Sequence, residues 1–202
     1  MTHASSLLYR ATAGALLLII PVATQLVLWP DLADMPWGHE LFAVSQLLSW
    51  ALLSSVCLGI ASVHPGAVRN RAGRTGRRAV LAGCGLQMLF ALAYGVSTVV
   101  RGEPLEASFV LFLLGFLALL VGGVVWGLVL RREPHLRLAG NGFLAMAVLG
   151  LLAIAVGDNF IHDIALLSSY AAWIVIGLGA VGSATPDTRD GIRSGSYDDQ
   201  NV

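Results

Sequence analysis

Six long apolar stretches account for most of this chain, and they restrict its fold more than any other feature. They cover residues 11–29, 40–62, 79–100, 107–130, 138–157 and 161–182. A transmembrane helix needs about 20 predominantly apolar residues, and each stretch is of that order. Only 12% of the 202 residues are charged, which is about half the share found in a typical soluble domain. The sequence therefore predicts an all-α integral membrane protein.

The predicted architecture is a six-transmembrane-helix bundle followed by a polar tail. The bundle occupies residues 1–183, and residues 184–202 are polar, rich in turn-forming residues and without an apolar face. Such a segment buries too little apolar surface to offset the entropy lost on folding. We therefore expect residues 184–202 to form a disordered cytoplasmic tail.

The charges predict how the bundle lies in the cell membrane. The loops after the second and fourth stretches hold eight arginines: Arg69, Arg71, Arg74, Arg77, Arg78, Arg131, Arg132 and Arg137. The loops at the other end hold Arg101 among seven acids: Asp31, Asp34, Glu40, Glu103, Glu106, Asp158 and Asp163. Short arginine-rich loops stay on the cytoplasmic side, so both termini should be cytoplasmic (N-in/C-in). Basic clusters also attract anionic headgroups, although orientation alone explains these loops.

Two stretches begin with similar twelve-residue runs, HELFAVSQLLSW at 39–50 and HDIALLSSYAAW at 162–173. Each run starts with a histidine followed by an acid, and each ends on a tryptophan. Residues 11 apart share a helix face, with the second about 16 Å deeper along the axis. His39 and His162 should therefore lie at one membrane surface, with Trp50 and Trp173 near the middle of the core. An accidental match between two apolar segments is the alternative explanation.

These two faces are candidates for a polar pocket that opens outward between the second and sixth helices. Its predicted lining is His39, Gln46, Trp50, Asp158, His162, Ser169 and Trp173. The histidines and acids at its rim could bind a proton or a metal ion such as zinc, which accepts such ligands. The candidate metal ligands are His39, Asp158, His162 and Asp163. The alternative is ordinary packing, since polar and small residues are common between transmembrane helices.

The same runs suggest three related helical hairpins in parallel orientation. The second, fourth and sixth helices each carry an acid near their start and an aromatic residue ten positions later: Glu40 and Trp50, Glu106 and Phe116, Asp163 and Trp173. Internal repeats occur in transporters, where ligand sites lie between the repeats. The fourth helix lacks the histidine, so any histidine site would involve the second and sixth helices.

Several classes of function receive no support from the sequence. It contains no G-x-S-x-G, H-E-x-x-H or Walker motif, so no catalytic residue is predicted and an enzyme is not favoured. No cofactor is implied. The histidines lie at helix ends or in loops, whereas a haem within the membrane would need histidine ligands well inside the helices. The formal net charge of zero predicts no nucleic-acid partner. Cys57 and Cys84 are predicted to be buried free thiols.

Two functional hypotheses remain, and both assume a lipid bilayer around the bundle. The first is a small binding or transport-related protein with the outward-facing pocket and a small ligand or ion at its outer face. The second is a non-catalytic accessory or scaffold protein that packs against a membrane-protein partner. The second hypothesis expects the polar stripes to be filled by mutual hydrogen bonds. It also expects an exposed small-residue face, with Gly123 and Gly127 as the candidates.

Overall fold

The chain consists of six long helices joined by short connections. A computed structural model describes residues 3–28, 38–103, 105–156 and 159–182. The helices are α1 (His3–Leu28), α2 (Gly38–Val63), α3 (Arg71–Arg101), α4 (Ser108–Leu130), α5 (Arg137–Ala155) and α6 (Asn159–Gly182). Two short 3-10 turns, Pro65–Val68 and Pro134–Leu136, precede α3 and α5. All six helices are long and apolar enough to cross a membrane, which confirms the predicted all-helical class and the number of apolar helices.

The six helices form a closed ring in chain order. Each helix packs against the next, and α6 returns to pack against α1. Consequently α1 lies between α2 and α6, which meet only at a few points across the ring interior. The core inside the ring is rich in aromatic side chains, and the largest fully buried ones are Trp126, Trp173 and Phe143. Cys57 and Cys84 are also buried and free, as the sequence predicts.

Helix α3 begins eight residues before the apolar stretch that predicts it. Asn70 caps its start, because the side-chain Oδ1 accepts a hydrogen bond from the Gly73 amide at 2.6 Å. The helix has 31 residues, so it is about 46 Å long and exceeds a hydrocarbon core of about 30 Å. It ends at Gly102, whose φ of 77° is a left-handed conformation that favours glycine. The early turns of α3 are polar, and hydropathy alone therefore does not reveal them.

Glycines set the close approach of α3, α4 and α5. A Cβ added at Gly76 would lie 2.6 Å from the Trp126 backbone nitrogen, and one at Gly122 would lie 2.6 Å from the Val80 backbone nitrogen. Such distances exclude any side chain, so the helix backbones are nearly in contact.

The expectation that Gly123 and Gly127 form an exposed face is wrong. Both glycines are buried, and a Cβ at Gly127 would lie 2.9 Å from the Gly140 carbonyl oxygen of α5. A small-x-x-x-small pattern predicts close helix packing, but it does not say whether the neighbour belongs to the same chain. Here α5 occupies the position that a partner helix would have taken.

Candidate functional site

A small cavity lies inside the ring at the level of the two tryptophans of the repeated runs. Its volume is about 10 Å³, close to the minimum of about 10–15 Å³ that one water molecule needs. The lining comes from α2, α4, α5 and α6: Trp50, Phe116, Leu119, Leu120, Met146, Ser169, Tyr170 and Trp173. Three predicted pocket residues, Trp50, Ser169 and Trp173, therefore share one cavity, although its walls are mostly apolar.

Gln46 and Trp50, two predicted pocket residues of α2, are hydrogen-bonded to each other. Gln46 is 5% exposed and Trp50 is 3% exposed. The Trp50 indole nitrogen Nε1 donates a hydrogen bond to Gln46 Oε1 at 3.0 Å, one turn earlier. The Trp50 ring meets Tyr170 of α6 edge-on, with 6.5 Å between the ring centroids. At this level the contact between α2 and α6 is thus aromatic.

The matching face of α6 is also closed. The Ser169 hydroxyl donates to the Leu166 carbonyl of its own helix at 2.7 Å. Trp173 is fully buried and packs edge-on against Phe143, with ring centroids 5.6 Å apart. Phe143 in turn lies 4.9 Å from the Trp126 ring. This aromatic run through α4, α5 and α6 involves Trp126 and Phe143, which the search for repeated polar residues missed.

The two histidines of the repeated runs bond to different neighbouring helices. His39 Nδ1 is hydrogen-bonded to the Tyr94 hydroxyl of α3 at 2.7 Å. His162 Nδ1 donates to the Ala153 carbonyl oxygen of α5 at 2.6 Å, since a carbonyl only accepts. Each imidazole therefore ties its helix to the adjacent one in the ring. Convergence of the two histidines on one ligand stays a prediction.

The metal hypothesis rests partly on a residue that lies outside the described part of the chain, Asp158. Asp163 is described and is half-buried near the start of α6. Within residues 3–28, 38–103, 105–156 and 159–182, no group of three or more histidine, cysteine or acidic side chains could hold a metal ion. The candidate ligand set of His39, Asp158, His162 and Asp163 thus stays a prediction.

Tyr94 is the centre of a polar and aromatic cluster that the sequence analysis did not assign to a site. Its ring lies 5.5 Å from the Phe42 ring and 5.7 Å from the Phe90 ring. Its carbonyl oxygen accepts hydrogen bonds from the hydroxyls of Ser97 and Thr98 at 2.9 and 2.8 Å. Nothing in the spacing of residues along α3 distinguishes Tyr94 from an ordinary packing residue. The hydrogen bond between His39 and Tyr94 thus joins α2 to α3 at this end.

A buried glutamine on α3 is only half satisfied. The Gln87 side chain is 1% exposed, and its Nε2 donates to the Phe112 carbonyl of α4 at 3.0 Å. Its Oε1 is buried without a hydrogen-bond partner. A buried amide normally has all its polar atoms bonded, and so this oxygen is a local energetic defect between α3 and α4.

The charged side chains divide the bundle into two unlike ends. The arginine end comprises Arg10, Arg69, Arg71, Arg74, Arg77, Arg78, Arg131, Arg132 and Arg137. In the described segments its one carboxylate is Glu133. His64 lies in the loop at this end, where burial and the nearby His135 lower its pKa below the ordinary value of 6.5, while Glu133 acts in the opposite direction. The other end carries Arg101 and the acids Glu40, Glu103, Glu106 and Asp163.

Comparison with models of protein families, with curated proteins and with solved structures found no match. The class of protein is therefore defined by the chain itself. It is all-helical, and its six apolar helices are suited to a membrane. The features that bear on its function are the small cavity and the two charged ends of the described segments.

Proposed function

We propose that this chain is a non-catalytic accessory or scaffold protein of the cell membrane, which acts by packing against a membrane-protein partner. The small size of the cavity between α2, α4, α5 and α6 carries this proposal. The cavity of about 10 Å³ is far smaller than the 300–1,000 Å³ that is typical of small-molecule sites. A ligand larger than water would require the helices to separate.

The use of the polar side chains also supports an architectural role. The Ser49 hydroxyl of α2 donates to the Gly14 carbonyl of α1 at 2.6 Å, and the His39–Tyr94 pair joins α2 to α3. Hydrogen bonds between helices hold a bundle together where the hydrophobic effect cannot, because lipid tails are as apolar as the helices. These side chains stabilise the ring, and the scaffold proposal therefore assigns the function to its outer surfaces.

The second candidate is a small binding or transport-related protein with an outward-facing pocket between α2 and α6. One observation favours it: Trp50 of α2 and Ser169 and Trp173 of α6 line the same cavity. A separation of α2 from α6 would enlarge that cavity toward the end that carries the two histidines. In both candidates the termini and the arginine end face the cytoplasm, following the usual arginine bias.

Labelling of introduced cysteines distinguishes the two candidates. The two native thiols are first removed as Cys57→Ala and Cys84→Ala, and a single cysteine is then placed as Ser169→Cys at the cavity. Intact cells are treated with a membrane-impermeant maleimide. The scaffold proposal expects no labelling at position 169 until the protein is denatured. Labelling in the native membrane would contradict the scaffold proposal and support an open pocket.

Two matched cysteines control for access and orientation. Glu103→Cys, at an exposed position between α3 and α4, should react in intact cells. Arg74→Cys, at an exposed position of the arginine end, should react only after the cells are permeabilised. The reverse pattern would contradict the proposed orientation. Labelling at position 169 would then be compared in permeabilised cells, where the reagent reaches the opposite membrane surface.

A stability measurement tests the metal form of the second candidate. Detergent-purified protein is heated with and without zinc, beside the His39→Ala/His162→Ala variant. A ligand at 100 times its dissociation constant adds about 2.7 kcal/mol to the folded state. A zinc-dependent shift that is present in the parent and lost in the variant would support a rim site. No shift in either protein would contradict it.

A further inference from the structure

Among the residues that the structure describes, the arginine end carries more positive charge than its carboxylates neutralise. In the described part of the chain, none of its nine arginines forms an ion pair with a carboxylate, and Glu133 is the one acid at this end. All of these arginines are exposed except Arg77, which is half-buried and whose Nε has no hydrogen-bond partner. A set of unpaired guanidinium groups on one surface is electrostatically complementary to an anionic surface.

Three of these arginines form a stripe on the protruding start of α3. Arg71, Arg74 and Arg78 follow each other at spacings of three and four residues, and all three are exposed. Helical residues at these spacings lie on one face. The stripe is about 10 Å tall at a rise of 1.5 Å per residue. The headgroup layer on each side of a bilayer is about 5–8 Å thick, which is comparable with the height of the stripe.

The stripe is unfavourable for the isolated helix. Like charges three and four residues apart repel each other, and cations at a helix start also oppose the helix dipole. The first turn of α3 contains no acid that would offset these effects. An anion outside the protein would weaken both the repulsion between the arginines and their unfavourable interaction with the helix dipole. A guanidinium group binds phosphate oxygens through two parallel hydrogen bonds.

We propose that the stripe formed by Arg71, Arg74 and Arg78 docks the phosphate groups of anionic phospholipids in the adjoining leaflet. This surface function is independent of whether the ring interior binds a ligand. The occupant is taken to be lipid because the stripe directly precedes the apolar stretch that begins at residue 79, and a helix that crosses a bilayer through that stretch has the arginines beside the headgroups. The balanced charge of the whole chain, 12 basic against 12 acidic residues, gives no comparable attraction for a nucleic acid in solution.

The test is a lipid titration of the full chain, purified in an uncharged detergent at low salt. The melting temperature is followed against added phosphatidylglycerol, phosphatidylcholine, inorganic phosphate or a short single-stranded DNA. We expect phosphatidylglycerol to stabilise the protein more than phosphatidylcholine does. In the Arg71→Gln/Arg74→Gln/Arg78→Gln variant the half-saturating phosphatidylglycerol concentration should rise about a hundredfold. Arg101→Gln, at the other end, should behave like the parent.

Several results would overturn the proposal. They are an equal response of the parent to both lipids, an unchanged phosphatidylglycerol response in the triple variant, or an equal response to inorganic phosphate or DNA. If the triple variant does not fold, Arg74→Gln alone removes the central charge and should raise the half-saturating concentration by about fivefold. An Arg74→Gln protein that matches the parent would then refute lipid docking at the stripe.

Discussion

The seam between α3 and α4 and the meeting of α2 with α6 are built from opposite kinds of residue. Along the α3–α4 seam glycines bring the backbones together, and a Cβ at Gly83 would lie 2.8 Å from the Gly115 carbonyl oxygen. Across the ring interior α2 meets α6 through bulky rings, with Trp50 and Tyr170 centroids 6.5 Å apart. The first contact runs along whole helices, whereas the second is confined to a few side chains.

This difference separates two signals that are easily confused in a membrane sequence. Repeated polar residues drew attention to α2 and α6, yet those residues mostly form hydrogen bonds within a helix or to an adjacent one. Small residues such as glycine have no reactive or hydrogen-bonding side chain, but they lie where the helices approach most closely. Polar repeats thus point to buried faces, and small residues point to the neighbours.

The largest effect is expected from filling the glycine seam. Gly122→Ala would place a Cβ 2.6 Å from the Val80 backbone nitrogen, and a backbone atom cannot move aside as a flexible side chain can. We expect a loss of about 3 kcal/mol of unfolding free energy, the upper part of the range for overpacking. The measurement is denaturant unfolding in detergent micelles, followed by circular dichroism.

Gly85→Ala is the matched control for Gly122→Ala. It lies on α3, and a Cβ at Gly85 would meet nothing within 4 Å. Because alanine favours a helix over glycine, this change should stabilise the protein by up to about 1 kcal/mol. Equal stability of both variants would show that the seam is not closely packed, and the contrast between the two regions would be lost.

A smaller loss should follow from removing the acceptor in the aromatic region. Gln46→Leu leaves the buried Trp50 Nε1–H without its partner. We expect a loss of about 1–2 kcal/mol, the usual penalty for stranding a buried donor. Adding Trp50→Phe removes the stranded donor as well. A double-mutant cycle then measures the coupling energy between Gln46 and Trp50. A coupling energy of zero would mean that the indole finds another acceptor.

Replacing Gln87, the buried glutamine of the α3–α4 seam, should change the unfolding free energy in the opposite direction. Gln87→Leu removes a bond to the Phe112 carbonyl worth about 0.6 kcal/mol. It also removes a buried oxygen that has no partner, whose burial costs about 1–3 kcal/mol. Unfolding free energy should therefore stay constant or rise by about 1 kcal/mol. A clear loss would indicate that Oε1 holds an ordered water, which crystallography would reveal.

The smallest expected effect on stability is a pH dependence. It arises in the loops, outside both the α3–α4 seam and the contact of α2 with α6. The pKa of His64 is lowered in the folded chain by burial and by His135. As pH falls below about 6.5, the unfolded chain binds the proton first. Stability should then decrease until pH reaches the lower folded pKa, and above 6.5 the residue contributes no pH dependence. His64→Gln should flatten the melting temperature between pH 7 and 5, whereas an unchanged slope would assign the dependence elsewhere.

The sequence determined the parts of this protein that depend on local composition. Apolar length identified six helices, because a bilayer core of roughly 30 Å requires about 20 residues for each crossing. Helical periodicity placed Gln46, Trp50, Ser169 and Trp173 on buried faces, since side chains seven or eleven residues apart project in nearly the same direction. Neither argument needs any knowledge of which helices are neighbours.

Only the tertiary structure decided which helices meet. The ring order places α1 between α2 and α6 and gives His39 and His162 separate partners on α3 and α5. It also turns Gly123 and Gly127 toward α5. Periodicity fixes the direction of a side chain around its own axis, but the neighbour in that direction depends on how all six helices pack together.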